Sequence, residues 1–504
     1  FEVVDPRTAW ITSRLVTRIP RLLRPAELAV AIAQETGAGL VLSGRYYREG
    51  DSLRFEVQVT DVASHKLTRA LDPIRSPLSD PSSVMPILAR RAMGAVATAT
   101  DTVSAGFSAA MSQPPSYPAY DEMSHAWEDF FRDDTTDLFA RTARAQALDT
   151  GYMTPRLMEA YVRSLTGGWA ITDSLVKVVE LRRNRLTPAD ATILDGLEAN
   201  LRGDRPGRVR AARELARLTP GSFEGYTLLA EMALSIDQPR EALAALAHVN
   251  PDRGLLLFSP IYWQTSARAL HELGQYRAEL EAARNGVRRF PGELGTQVAL
   301  LRAYAALGLV EQLEKELDRG LSGDAHPVMD AQFRLLFTAA ELRAHHQAAV
   351  ADRLLARVTA HGTPAAEDST ADAGRLPADL MYEAGEWEKA GEAYAGLYAR
   401  HPDDIAALGG IGASAARRGD TGEARRVDSV LAGWRGRFAF GRNSYARARI
   451  AAVLGDSSEA VTLLQQAFHE GYPMVTVWDR SAHLDRDFEG IRNYPAFRAL
   501  MALP

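Results

Sequence analysis

Two rhythms of apolar and polar positions divide the 504 residues. Over residues 39–62, GLVLSGRYYREGDSLRFEVQVTDV, apolar and polar side chains alternate, as in a half-buried strand pair, and Glu49-Gly50-Asp51 marks the hairpin turn. Flanking it, RPAELAVAIAQETG (24–37) and DPSSVMPILARRAMGAVATATD (80–101) carry the helical period, the second opening on an Asp/Ser cap. EVVD (2–5) reads as a short apolar strand. These segments predict a small α/β layer domain over 1–103, and SAGFSAAMSQPPSYP (104–118) reads as its linker to the rest of the chain. From Ala119 onward the period is helical throughout. A residue that ends one helix, usually Gly, is followed two residues later by an aromatic or turn residue and then by a second helix.

That signature repeats. Taking the turn residue as anchor, it falls at Asp133, Gly167, Gly203, Asp237, Gly274, Gly308, His346, Gly385, Gly419 and Gly455, with steps of 34, 36, 34, 37, 34, 38, 39, 34 and 36 residues. In YWQTSARALHELGQYRAELEAARNGVRRFP (262–291), the residues Trp263, Ala267, Gly274, Tyr276 and Pro291 stand at the spacings of a tetratricopeptide repeat. Gly385, Trp387, Ala390, Tyr394 and Pro402 do the same in 380–402. Seven positions before each anchor the first helix must be small, because two helices cross closely there. Those positions are Ala126, Ala160, Gly196, Ala230, Ala267, Leu301, Ala339, Ala378, Gly412 and Ala448, with Leu301 the one exception. Prolines such as Pro220, Pro291 and Pro402 close second helices. The expected fold class is therefore mainly α. A solenoid of about ten helical hairpins spans 119–472, preceded by the α/β domain and followed by a capping segment over 473–504. The small, polar stretch HGTPAAEDSTADAGRLP (361–377) reads as an exposed loop.

Composition narrows the chemistry. There is no cysteine, which removes thiolate metal sites, disulfides and cysteine nucleophiles, and which favours an extracytoplasmic location over a cytoplasmic one. The net charge is −6, so no global basic field draws the chain onto nucleic acid. Lysine stands only at 66, 177, 315 and 389, leaving arginine as 54 of the 58 basic residues, a codon-level bias with little functional content. No apolar run approaches the roughly 20 residues that span a bilayer.

The residues ELAVAIAQETGAGLVLSGRYYREGDSLRFEVQVTDVASHKL resemble the FlgO/TolB-like amino-terminal domain over about 26–70. That family opens with a further strand and helix, which implies that Phe1 falls inside the domain. The order of this domain, a PPSYPAY linker, the repeats and the ending HLDRDFEGIRNYPAFRALM is similar to the C-terminal region of bacterial signalling proteins, among them Ser/Thr kinases, adenylate cyclases and SARP-type regulators. The resemblance implies a sensing or interaction module that serves an effector.

No catalytic constellation accompanies the repeat. His271-Glu272 begins an HExxH pattern that fails at Gln275, and His345-His346 is a doublet in a repeat turn with no ligand four residues on. GGIGASA (409–415) matches a dinucleotide fingerprint, yet Gly412 is the small position of a repeat helix. Asp403-Asp404 sits at a helix start, where carboxylates complement the macrodipole. The expectation is a chain with no catalytic residues, no metal and no cofactor. It would bind a protein or peptide partner, or another copy of itself, on the concave face lined by first helices. The groove residues are Asn200, Glu231, Gln264, Arg268, His271, Arg302, Tyr445 and Arg449, the arginines gripping carboxylates or carbonyls. The alternative is a structural protein whose solenoids stack into an oligomer or extracellular filament.

Overall fold

The computed structural model describes residues 25–100, 114–132, 134–321, 328–359, 371–473 and 481–502. EVVD (2–5), most of the linker and residues 361–370 of the expected loop lie outside them. The front part begins with helix α1 (Pro25–Thr36) and strands β1 (Leu40–Glu49) and β2 (Ser52–Asp61). These strands pair antiparallel from Leu40↔Asp61 to Glu49↔Ser52. Gly50 turns the hairpin at φ +62°. Two short strands that the alternation does not predict come next, β3 (Lys66–Ala70) and β4 (Ile74–Pro77). They lie end to end along the other edge of β2, β3 against Gln58–Asp61 and β4 against Ser52–Phe55. KLTRA and IRSP, five and four residues long, do not alternate strictly, so the pattern does not announce them.

Helix α2 (Met85–Thr100) covers one sheet face, where Val59, Leu71, Ala92 and Ala95 form a small core. Its expected Asp/Ser cap is not made. Asp80 accepts no backbone N–H with its side chain, and the chain enters α2 through a 3₁₀ turn at Pro81–Val84. Gly94 of α2 lies flat on the chain entering the repeats, since a Cβ there would collide with the Pro115 carbonyl oxygen. Arg91 completes that junction with a 2.5 Å ion pair to the buried Asp149.

Twenty helices then run in ten hairpins, with no strand among the described residues of this span. Units 1 to 10 are α3 (Tyr117–Phe131) with α4 (Thr135–Leu148), α5 (Thr154–Leu165) with α6 (Trp169–Glu180), α7 (Pro188–Leu201) with α8 (Arg205–Leu218), α9 (Phe223–Leu234) with α10 (Pro239–Leu246), α11 (Ile261–Glu272) with α12 (Tyr276–Arg289), α13 (Leu294–Leu307) with α14 (Val310–Leu321), α15 (Val328–Ala344) with α16 (Ala348–Thr359), α17 (Ala371–Glu383) with α18 (Trp387–Arg400), α19 (Ile405–Arg417) with α20 (Thr421–Ala432), and α21 (Arg442–Val453) with α22 (Ser457–His469).

All nine described anchor residues sit in the left-handed region, with φ between +59° and +87°. That conformation ends the first helix and reverses the chain; glycine takes it without strain, and Asp237 and His346 take it at a cost. In units 3, 9 and 10 the next residue, Asp204, Asp420 or Asp456, caps the second helix by accepting the backbone N–H of Gly207, Glu423 or Glu459. Asp404 caps α19 in the same way. The small positions lie at the crossings. Ala126, Ala230, Ala267, Ala339 and Ala448 are fully buried, and a Cβ on Gly412 would meet Ile450 Cδ1 at 2.5 Å. Leu301 is accommodated in the largest core cluster, which runs from Ala267 to Leu380 across units 5 to 8.

The stretch 371–377 departs from expectation. It forms the first turns of α17, with Leu376 buried and Pro377 inside the helix. Small polar residues hid a helix whose apolar contacts at Leu376 and Leu380 decide the matter.

The stack curves until its end meets its beginning. Trp169 of unit 2 packs edge-on against Phe440, which precedes unit 10, with ring centroids 4.7 Å apart, and Arg437 pairs with Asp173 at 2.9 Å. Gly203 and Gly471 touch backbone to backbone, and a Cβ on Gly203 would lie 2.5 Å from the Glu470 carbonyl oxygen. The tail then turns back over unit 10: a 3₁₀ turn at Arg486–Ile491 and helix α23 (Pro495–Leu500) bury Phe488, Ile491 and Phe497 against α21 and α22. Among the described residues no helix is long and apolar enough to cross a membrane.

Two outcomes are expected in thermal or urea unfolding. Ala267→Leu or Ala378→Leu should cost about 1–3 kcal/mol by overpacking a crossing, while Glu388→Gln on the exposed side of α18 should be near neutral; equal stabilities for all three would mean the crossings lie elsewhere. Asp237→Gly and His346→Gly should each stabilise the chain by up to about 1 kcal/mol through relief of the left-handed backbone, offset in part by the greater freedom of glycine when unfolded.

Candidate functional site

The eight expected groove residues all stand on first helices: Asn200 on α7, Glu231 on α9, Gln264, Arg268 and His271 on α11, Arg302 on α13, and Tyr445 and Arg449 on α21. They fall into three groups with different fates.

The first group is engaged by the chain's own tail. The turn Asp485-Arg486-Asp487 lies across α17, α19 and α21. Tyr445 donates its hydroxyl to Asp485 at 2.9 Å, and Arg449 reaches Asp485 at 3.2 Å and Asp487 at 2.9 Å. Arg417 and the Tyr382 hydroxyl meet the other oxygen of Asp487 at 2.8 and 2.6 Å. Arg486 stacks on Trp387 with its guanidinium carbon 4.7 Å from the ring centroid. Both aspartates are buried. Burial pushes the Tyr382 and Tyr445 hydroxyls well above their ordinary value, with the neighbouring aspartates adding to it. Arg449 is held firmly charged; burial opposes this, and Asp485 and Asp487 outweigh it. Tyr445 and Arg449 are thus partners of the tail rather than open groove residues.

The second group spans units 5 to 7. Gln264 donates to Glu293 at 2.8 Å, the residue whose carboxylate caps α13. Arg302 is buried and pairs at 2.6 Å with Glu279 of α12, itself fully buried. The other oxygen of Glu279 meets Nδ1 of His271 at 2.8 Å. On its far side His271 faces α15: its Nε2 lies 3.6 Å from Oε2 of Glu341, and Nε2 of His345 lies 3.8 Å from the same oxygen. The two imidazoles stand edge to face with centroids 5.4 Å apart, and the Tyr276 ring closes against both. Glu341 is fully buried and burial pushes its carboxyl up to about 7, while burial lowers the His345 imidazole.

The sequence treats the two histidines separately, and the structure brings them to one carboxylate. The residue paired with His345 stands four positions before it on the same helix, not four after. That Glu341-x-x-x-His345 spacing is legible in the sequence. The approach of His271, two units away, depends on the curvature of the stack.

The third group, in units 3 to 5, is less committed. Arg268 is half-exposed and pairs with Glu272 at 3.0 Å along its own helix. Glu231 has its carboxyl pushed up to about 7 by burial, with Arg268 and Arg208 pulling the other way. Asn200 is buried, and its Oδ1 has no hydrogen-bond partner. It lines a cleft with about 50 Å³ of free volume between units 2, 3 and 4, walled by Tyr161, Trp169, Leu197 and Met232. Arg208 also lines the cleft; it is buried, its Nη1 is unpartnered, and burial lowers its guanidinium to about 10. The unused Arg208 Nη1 is a donor suited to a carboxylate or a backbone carbonyl, and the unused Asn200 Oδ1 is an acceptor suited to a backbone N–H, so the two together suit an extended peptide segment. Arg208 escapes a reading of the sequence because it belongs to a second helix, α8.

No protein-family model matches the chain, and no curated protein matches its sequence. Solved structures do. A tetratricopeptide repeat protein from Parabacteroides merdae is 14% identical, with 50% of this chain and 94% of that one covered, at a TM-score of 0.31. Yeast Tom70 is 12% identical, with 76% and 89% covered and a TM-score of 0.35. Naa15/Naa10 bound to HypK-THB is 15% identical, with 64% and 47% covered and a TM-score of 0.25. These scores are low, and the assignment to tetratricopeptide-type hairpins stands on the 34-residue period and the left-handed turns of this chain itself.

Proposed function

We propose that this chain is a non-catalytic protein-protein interaction or sensor module of a bacterial signalling protein, and that it takes an acidic protein or peptide segment on the concave face formed by its first helices. The observation that carries the reading is the tail. An Asp-Arg-Asp turn is gripped by arginines and tyrosines from three consecutive first helices, which is the chemistry a partner would meet farther along the same face. Arg268, Arg302 and Arg449 occupy one repeat position, six residues before their anchors. Of these, Arg449 holds the tail and Arg302 holds Glu279, whereas Arg268 is half-exposed and could exchange its same-helix pairing with Glu272 for an incoming carboxylate, with the Asn200–Arg208 cleft beside it. Packed helices lie about 10 Å apart, and an extended peptide rises about 3.3 Å per residue. Acceptors about three residues apart would therefore address neighbouring units.

End-to-end stacking into an oligomer or filament has less support. Free terminal hairpins are what such assembly uses, and here α2 covers unit 1 and the tail covers unit 10. The divisions at 103, 118 and 472 remain part of this proposal, as does the FlgO/TolB-like reading of the front domain.

Selection of peptides from a random display library by the full chain, with hydrogen exchange to map the bound site, tests the proposal. Acidic peptides should protect α9 and α11. Arg268→Ala should weaken them by about tenfold, the worth of one charge-assisted hydrogen bond. Arg302→Ala is a poor probe, because it strands the buried Glu279 and destabilises the fold. Protection confined to second helices, or binding indifferent to Arg268→Ala, would remove this face from consideration.

A further inference from the structure

We propose that His271, Glu341 and His345 form a binding site for a divalent transition-metal ion of zinc-like preference, which clamps the first helix of unit 5 to that of unit 7. Three ligand atoms, one from each side chain, lie within 4.8 Å of one another. Ligands about 2.0–2.1 Å from a tetrahedral ion stand roughly 3.3 Å apart. The two imidazole-to-carboxylate separations, 3.6 and 3.8 Å, lie within about half an ångström of that spacing. They are also too long for hydrogen bonds, so the three groups do not satisfy one another directly.

The second observation is Oε2 of Glu341, which is buried without a hydrogen-bond partner. A buried acceptor left unmatched is costly, and this one is aimed at both Nε2 atoms. A cation at the focus of the three would match it. The third is the support behind His271. Its Nδ1 is tied to Glu279, and Glu279 is tied to Arg302, an arrangement that fixes the tautomer and turns Nε2 toward the ion. Two imidazoles and one carboxylate suit zinc and its neighbours rather than calcium or magnesium, which prefer all-oxygen shells. Both histidines retain a small exposed area, 17% of each side chain, which provides an entry path and room for a fourth ligand.

Unit 6, which lies between the two in the chain, carries no large side chain at the matching position, Ala305. Ala305 is the residue equivalent to His271, 34 positions on, and it is buried and small.

The test uses the full chain, stripped with EDTA and dialysed, and titrated with zinc chloride in calorimetry and with cobalt chloride in visible spectroscopy. One ion per chain should bind at micromolar concentration or tighter, cobalt should give the bands of a four- or five-coordinate complex, and the melting temperature should rise. His345→Ala should weaken binding at least tenfold, and Glu341→Gln should do likewise. His345→Ala leaves the His271–Glu279–Arg302 chain intact, so its fold, checked by circular dichroism, is expected to survive where that of His271→Ala is less secure. His125→Ala on the exposed side of α3 should change nothing. Absence of binding by the parent chain would overturn the proposal. So would equal binding by a folded His345→Ala variant, which would place the ion elsewhere.

Discussion

Every larger feature of this protein depends on the close crossing of two helices inside each hairpin. The crossing needs a first helix thinned to alanine or glycine at one position, and a chain that reverses within about four residues. A left-handed residue supplies the reversal, and in several units an aspartate caps the second helix immediately afterwards. Because the two requirements sit seven residues apart on the same helix, turn and crossing are locked in register. Each hairpin therefore reverses in the same way, though its helices run from 8 to 17 residues, and stacking can bury apolar faces that no hairpin could bury alone. Leu301 shows that the rule is one of local volume. Its unit gives up the small residue and is absorbed into the largest core of the stack.

Stacking successive hairpins produces curvature, and curvature brings distant parts together. It returns unit 10 to units 2 and 3, where Gly203 and Gly471 permit backbone contact that any side chain would block. It also fills the first-helix face with charge. Two of the three arginines expected to await a partner are engaged already, Arg449 by the tail and Arg302 by Glu279, and Arg417, which was not among them, joins Arg449 on the tail. Buried pairs of this kind are poor sources of net stability but costly to break. Their effect is to hold the face in one arrangement, while Asn200 and Arg208 beside Arg268, and Glu341 farther along, keep buried polar atoms without partners.

The periodic features were legible in the residues. The turn anchors, the small positions and the β1–β2 hairpin all follow from short-range rules, since a left-handed turn, a thinned helix and an alternating strand are each decided by residues within a few positions of one another. Local reading failed where local signals were weak or misleading. The strands β3 and β4 do not alternate strictly, α2 opens through a 3₁₀ turn without using the Asp80 cap, and the start of α17 is written in residues that usually make loops.

The sequence by itself determined the repeat, its period and the number of hairpins, because those are properties of neighbouring residues copied along the chain. The tertiary structure alone decided which side chains meet across units. His271 lies 74 positions from His345, and Asp487 lies 105 from Tyr382, yet both pairs are in contact. Nothing in either local pattern encodes that proximity. It arises from the angle accumulated over successive units, a sum of small packing rotations that no single repeat contains.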